Sequence, residues 1–80
     1  MTRDDALLVV REALAIVLEL DVAQLAPDAS LDELGADSIA RVEWAEIVEE
    51  RIGRRMRFDD GDLGEFRTPG EAADYMMSRL

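Results

Sequence analysis

The chain is 80 residues long and 49% hydrophobic, with nineteen acidic side chains against nine basic ones and a formal charge of −10. That length suits one domain spanning residues 1–80, near the size at which a single core holds a fold unaided, and the charge opposes contact with phosphate backbones. Every basic residue is arginine, and the absence of lysine, histidine and cysteine excludes a Ser-His-Asp set, a Cys-His pair, a Schiff-base lysine, a disulfide, and imidazole or thiolate metal sites.

Thr2 with Asp5 resembles a capping box, with aspartate where glutamate is commoner, and predicts a helix running to about Leu20. Ala6, Val9, Val10, Ala13, Ile16, Val17 and Leu20 form its apolar stripe, while Arg11, Glu12 and Glu19 lie off it. Burial at roughly 1.5–3 kcal/mol per large side chain outweighs the modest helix propensity of valine and isoleucine. Asp21 to Asp37 is a seventeen-residue connection without an extended helix or strand, a length that is often functional. Leu25, Leu31 and Leu34 are spaced to dip into a core, Pro27 stiffens the middle, and Ser30 with Glu33 suits the cap of a single turn.

A second helix is predicted from Ser38 to about Ile52, ending at Gly53. Arg51, Arg54 and Arg55 complement the negative end of its dipole. At about 100° per residue, Ser38, Ile39, Val42, Glu43, Glu46, Glu49 and Glu50 share one arc. Ala40, Trp44, Ile47, Val48 and Ile52 occupy the opposite, buried arc. Arg41 projects toward that buried side near Ala45 and Val48, so either it snorkels out along the helix edge or the boundary between faces lies elsewhere.

Met56 to Phe66 reads as another connection holding a short helical turn, with Phe58, Leu63 and Phe66 as anchors. Its DDGDLGEF run fails as a calcium loop, because taking Asp60 as the first position puts Glu65 where glycine is needed. Thr68-Pro69-Gly70-Glu71 is a strong helix start, with threonine at the N-cap and proline at the first helical position. Ala72, Ala73, Tyr75, Met76 and Leu80 are its candidate core residues. The expected fold is all-α, a small four-helix bundle of three main helices and one short one. No apolar run approaches a membrane span, and Asp4 and Asp5 stand where a secretory signal needs basic residues. A cytoplasmic monomer is the expectation.

Serine is a preferred N-cap, which is the plain reading of Ser38. Asp37 can cap the same helix, however, leaving the Ser38 hydroxyl outward in the first turn. Unpaired N–H groups at a helix start suit a phosphate attached there. The dipole contributes only about 0.3–1 kcal/mol at an exposed site, enough to orient a phosphodiester but not to hold it, so a covalent bond must do the holding.

LGADSIARVEW, residues 34–44, resembles the phosphopantetheine attachment motif of the acyl carrier protein family, commonly Gly-x-Asp-Ser-Leu followed two residues later by Val-Glu. The similarity extends across the chain: the first helix, the loop with PDASLDELG, the acidic helix through VEERIG, and the closing TPGEAADYM helix. It implies a non-catalytic carrier whose 4'-phosphopantetheine arm is moved from coenzyme A to Ser38 by a phosphopantetheinyl transferase and holds acyl groups as thioesters. A chain without cysteine must import any thiol it uses. Asp37 matches the family's acid before the serine, Glu43 its recognition-helix acid, and Glu49 and Glu50 acids near that helix's end. Partners implied are acyl-loading, condensing and releasing enzymes with basic docking patches, which these acids and Glu46 would meet. Ile39 and Val42 would give an apolar contact beside the arm.

Departures point away from housekeeping fatty-acid synthesis. Ile39 replaces leucine, Ala40 and Arg41 replace an expected acid and its neighbour, and Glu46 stands where an apolar residue is usual. A discrete carrier of polyketide or other specialised biosynthesis fits these departures. A peptidyl carrier loading an amino acid is the nearest alternative, since isoleucine after Asp-Ser is frequent there. An acidic helical module using its glutamates noncovalently is the alternative of another class.

Overall fold

A computed structural model describes residues Met1–Leu80. Helix α1 spans Arg3–Leu18, α2 Ser38–Ile52, α3 Asp60–Leu63 and α4 Pro69–Ser78, with one 3-10 turn at Val22–Gln24. No strand is present. The expected all-α bundle of three longer helices and one short helix is therefore the fold observed. Helix α1 packs against both α2 and α4, while α3 packs on α2 and is tied to α4 through Asp62, whose Oδ2 accepts from the Tyr75 hydroxyl at 3.3 Å.

Local chemistry accounts for the helix ends. The Thr2 N–H donates to Asp5 Oδ2 at 3.1 Å, and the Asp5 N–H donates back to Thr2 Oγ1 at 3.2 Å. The Thr2 N–H, and after it the Thr2 hydroxyl, hold the Asp5 carboxyl below the ordinary aspartate pKa. Thr68 Oγ1 accepts from the Glu71 N–H at 3.1 Å, and Glu71 Oε1 reaches back to the Arg67 N–H at 3.2 Å. Helix α2 ends on Gly53 at φ 81°, as its sequence anticipates. Helix α1 ends earlier than expected, at Leu18, with Glu19 left-handed at φ 54°. The chain turns there before the stripe can include Leu20, which is half-buried.

The core contains Ala6, Val10, Ala13 and Leu14 of α1, Trp44 and Val48 of α2, and Ala72, Ala73 and Met76 of α4. Leu14 and Met56 are buried although neither was expected in the core, while Ile16 and Leu80, expected there, are exposed. Helix α1 is covered on two sides, by α2 and α4, so its buried surface is broader than one stripe and turned away from Ile16.

The four aromatic rings gather around the second connection. Trp44 is fully buried and donates from Nε1 to the Val10 carbonyl at 3.3 Å. It stacks on Phe58 with centroids 5.6 Å apart and meets Phe66 at 5.1 Å, and Tyr75 closes the group against Phe58 at 5.4 Å. Tyr75 also accepts the Asp59 N–H on its hydroxyl at 3.1 Å. Expected anchors Phe58, Leu63 and Phe66 all pack in or against this core. Such offset and tilted pairs add to simple area burial.

The Arg41 question is resolved against snorkelling. The residue is 4% exposed, and the buried face of α2 is Arg41, Trp44, Ala45 and Val48. That face is rotated toward Arg41 and Ala45, leaving Ala40, Ile47 and Ile52 only half-buried. A charged side chain can occupy the centre of a core face here because its donors are satisfied, as described below.

Trp44→Ala should cost about 3–5 kcal/mol of unfolding free energy, read by urea denaturation, because it empties the largest buried volume and frees the Val10 carbonyl.

Candidate functional site

The turn before α2 is built by short-range bonds. Ser30 Oγ accepts the Glu33 N–H at 3.3 Å, as expected of its cap role, and the Leu34 N–H donates to the Ser30 carbonyl at 3.1 Å. Gly35 takes φ 89°, a left-handed value suited to glycine. The Ala36 N–H then returns to the Leu31 carbonyl at 2.9 Å, and Leu31 and Ala36 are buried. The segment carrying Ser38 is therefore pinned from below.

Asp37 is the N-cap of α2, its Oδ1 accepting the Ala40 N–H at 2.8 Å and its carbonyl the Arg41 N–H at 3.1 Å. Ser38 is thus the first helical residue, exposed and not needed as the cap. The N–H groups of Ser38 and Ile39 lie in the first turn, where the helix has no carbonyl to offer them. A phosphate ester on Ser38 would sit among these donors at the positive end of a fifteen-residue helix.

Beside Ser38 lies a cleft of about 410 Å³ between the start of α2 and α3, with Ile39, Val42 and Leu63 among the residues lining it. Glu43 and Asp60 also line it. Ile39 is 68% exposed and Val42 40% exposed, unusual for large apolar side chains on a helix whose other face is buried. The exposed serine, the free first-turn donors and this open apolar wall fit a flexible arm carrying a phosphate at its root. Leu63 was read from sequence as a core anchor, and its contribution to the cleft was missed. It stands twenty-five positions after Ser38, so no local spacing could have joined the two.

The acidic arc divides. Glu43, Glu46 and Glu50 are exposed, and the chain's five ion pairs engage other acids, Asp32, Glu12, Asp62 and Asp74. Their charges face solvent uncompensated by any direct partner. Glu49 differs: it is half-buried at the edge nearest Ala45, and its Oε2 accepts the Met56 N–H at 2.8 Å. That carboxylate ties the end of α2 to the second connection. The structure thus brings Ser38, Ile39, Val42 and Glu43 to the cleft, places Asp37 beside it as the N-cap and Glu46 and Glu50 farther along the same helix, and gives Glu49 an internal partner.

The family profile headed Phosphopantetheine attachment site matches residues 9–76. An acyl carrier protein of Exiguobacterium sp. (strain ATCC BAA-1283 / AT1b) is 31% identical over 81 aligned positions that cover the whole of both chains.

Glu49→Ala should lower stability by about 1 kcal/mol in urea denaturation, through loss of its charge-assisted bond to Met56. Glu46→Ala should stay within about 0.5 kcal/mol of the parent, as surface changes usually do.

Proposed function

The chain belongs to the acyl carrier protein family, whose prosthetic group is a covalent 4'-phosphopantetheine, and from that premise we propose that Ser38 is the attachment point and the exposed face of α2 the docking surface. The observation that carries this reading is the exposed Ser38 hydroxyl in the first turn of α2, with Asp37 serving as the cap and an apolar cleft alongside.

Modification would be carried out by a phosphopantetheinyl transferase, which would supply the base. The Ser38 Oγ–phosphorus bond forms, the pyrophosphate P–O bond of coenzyme A breaks, 3',5'-ADP leaves, and the serine proton passes to a base of the transferase. Once attached, the arm supplies the thiol on which an acyl group is held as a thioester. The chain's own residues would orient its root: Asp37 holds the start of α2, the first-turn N–H groups would be available to the phosphodiester, and Ile39 and Val42 would offer apolar contact.

Loading, condensing and releasing enzymes with basic patches would meet Glu43, Glu46 and Glu50, with Asp37 and Glu49 adding to the field. Complementary charge of this kind raises association rates more than final affinity. Ala40, Arg41 and Glu46 depart from the fatty-acid pattern, which supports a discrete carrier of polyketide or other specialised biosynthesis, acting as a monomer in the cytoplasm. Ile39 after Asp37-Ser38 is the one feature favouring a peptidyl carrier; the Val42-Glu43 pair and the strong acidity favour acyl cargo. A purely noncovalent acidic module would need no exposed serine beside a cleft.

Coenzyme A with a promiscuous transferase should add the mass of one phosphopantetheine to the protein and none to Ser38→Ala, read by intact mass spectrometry. Uptake by the alanine variant would remove Ser38 from the role. Glu43→Arg should slow turnover with a partner enzyme more at low than at high salt, by roughly 10-fold or more when surface charges are unscreened. Equal slowing at all ionic strengths would argue against charge-guided docking.

A further inference from the structure

Arg41 lies one helical turn after Ser38, with its side chain 5% exposed. It reaches in three directions at once. Nε donates to the Ala36 carbonyl at 2.9 Å, on the turn that delivers Ser38. Nη1 donates to the carbonyls of Leu63 at 2.9 Å and Phe66 at 2.6 Å, at and just beyond the end of α3. Nη2 pairs with Asp32 Oδ1 at 3.3 Å, and the guanidinium lies 4.9 Å from the centre of the Phe66 ring.

We propose that Arg41 is the positioning residue of the modification site: its guanidinium joins the seryl turn, the first turn of α2 and the α3 wall of the cleft into one unit, and so sets the geometry in which Ser38 meets a modifying enzyme. This rests on the assignment of Ser38 as the attachment point.

Two features make the junction depend on this side chain. Helix α3 is four residues long, with its backbone packed on α2 and its Asp62 side chain bonded to Tyr75 of α4 and to Arg79, so it takes its orientation from such neighbours and not from its own length. Leu63 carries both the side chain that lines the cleft and a carbonyl held by Arg41. The Ala36 carbonyl, two residues before Ser38, accepts no bond from helix α2 backbone and is reached by the guanidinium instead. Lysine could not replace this arrangement, because its donors radiate from a single nitrogen whereas the acceptors are spread around a planar fork. Packing alone would be served by a methionine. The cost of burying a charge is met here by bonds that converge on the site and not elsewhere in the core.

The test is the initial rate of arm uptake from coenzyme A, with one promiscuous phosphopantetheinyl transferase, followed by intact mass at carrier concentrations well below KM. Arg41→Met should lose about 10-fold or more in kcat/KM, since a displacement near 1 Å can cost up to about 10²-fold. Arg41→Lys should fall between it and the parent. Val10→Ala, which loosens the fully buried core on α1 away from the site, should stay within about twofold when assayed folded.

An Arg41→Met rate within about twofold of the parent, or an equal loss in Val10→Ala, would overturn the proposal. Should Arg41→Met fail to fold, Asp32→Asn weakens the same junction through a side chain that is 57% exposed. It should load more slowly than Glu33→Gln, which removes the same charge from the neighbouring exposed acid; equal rates would overturn the proposal. Arm uptake by Ser38→Ala, or none by the parent, would instead overturn the attachment assignment.

Discussion

An all-helical chain with long irregular connections faces one recurrent difficulty: carbonyl groups outside the helices have no ladder to join, and those facing the interior need donors. Backbone N–H groups serve part of them here, and two guanidinium groups serve others. Arg11 on α1 gives Nε to the Leu25 carbonyl at 2.7 Å and Nη2 to the Val22 carbonyl at 3.0 Å. Arg41 on α2 serves Ala36, Leu63 and Phe66. Between them they fasten both connections to the helices they flank, and no buried side-chain nitrogen or oxygen is left without a partner. The surface pairs Arg3–Asp74, Arg51–Glu12, Arg67–Asp32 and Arg79–Asp62 are more exposed to solvent screening and contribute less for each contact.

Helix α2 is the element on which both demands fall. One side carries Trp44 and Val48 into the aromatic cluster, and the other presents Ser38, Ile39, Val42 and three exposed glutamates. The boundary residues are the ones with mixed duties. Glu49 spends its carboxylate on the Met56 N–H, and Arg41 spends its charge inside the fold. A helix that buries Arg41 and exposes Ile39 and Val42 draws its stability from tertiary contacts, which is why the tryptophan ring and the two boundary side chains matter more than propensity.

Much of this is legible in the sequence. The caps at Thr2, Asp37, Ser30 and Thr68, the stop at Gly53 and the presence of a short turn within Met56–Phe66 depend on residues within a few positions of each other, so spacing suffices to find them. Asp37 and Ser38 were legible for the same reason, as was the burial of Trp44. What escaped was set by contact between distant elements. Spacing alone leaves Arg41 ambiguous because its acceptors lie up to twenty-five residues away. Leu14 and Ile16 changed places because two helices, not one, cover α1. Met56 gave no periodic signal, since it sits in a connection and is drawn inward by its neighbours, and Leu63 could not be linked to Ser38 without the packing of α3 on α2.

The start of α4 presses on the first connection at one atom. The Gly70 N–H donates to the Pro27 carbonyl at 2.9 Å, and a β-carbon at position 70 would stand only 3.0 Å from that same oxygen. Alanine is ordinarily the better helix former by about 1 kcal/mol, yet a methyl group here would crowd a backbone oxygen that must then give way, straining the bond that seals helix to loop. Thermostabilisation by helix-favouring substitution, the usual first resort for a small bundle, thus has a site where it should run backwards.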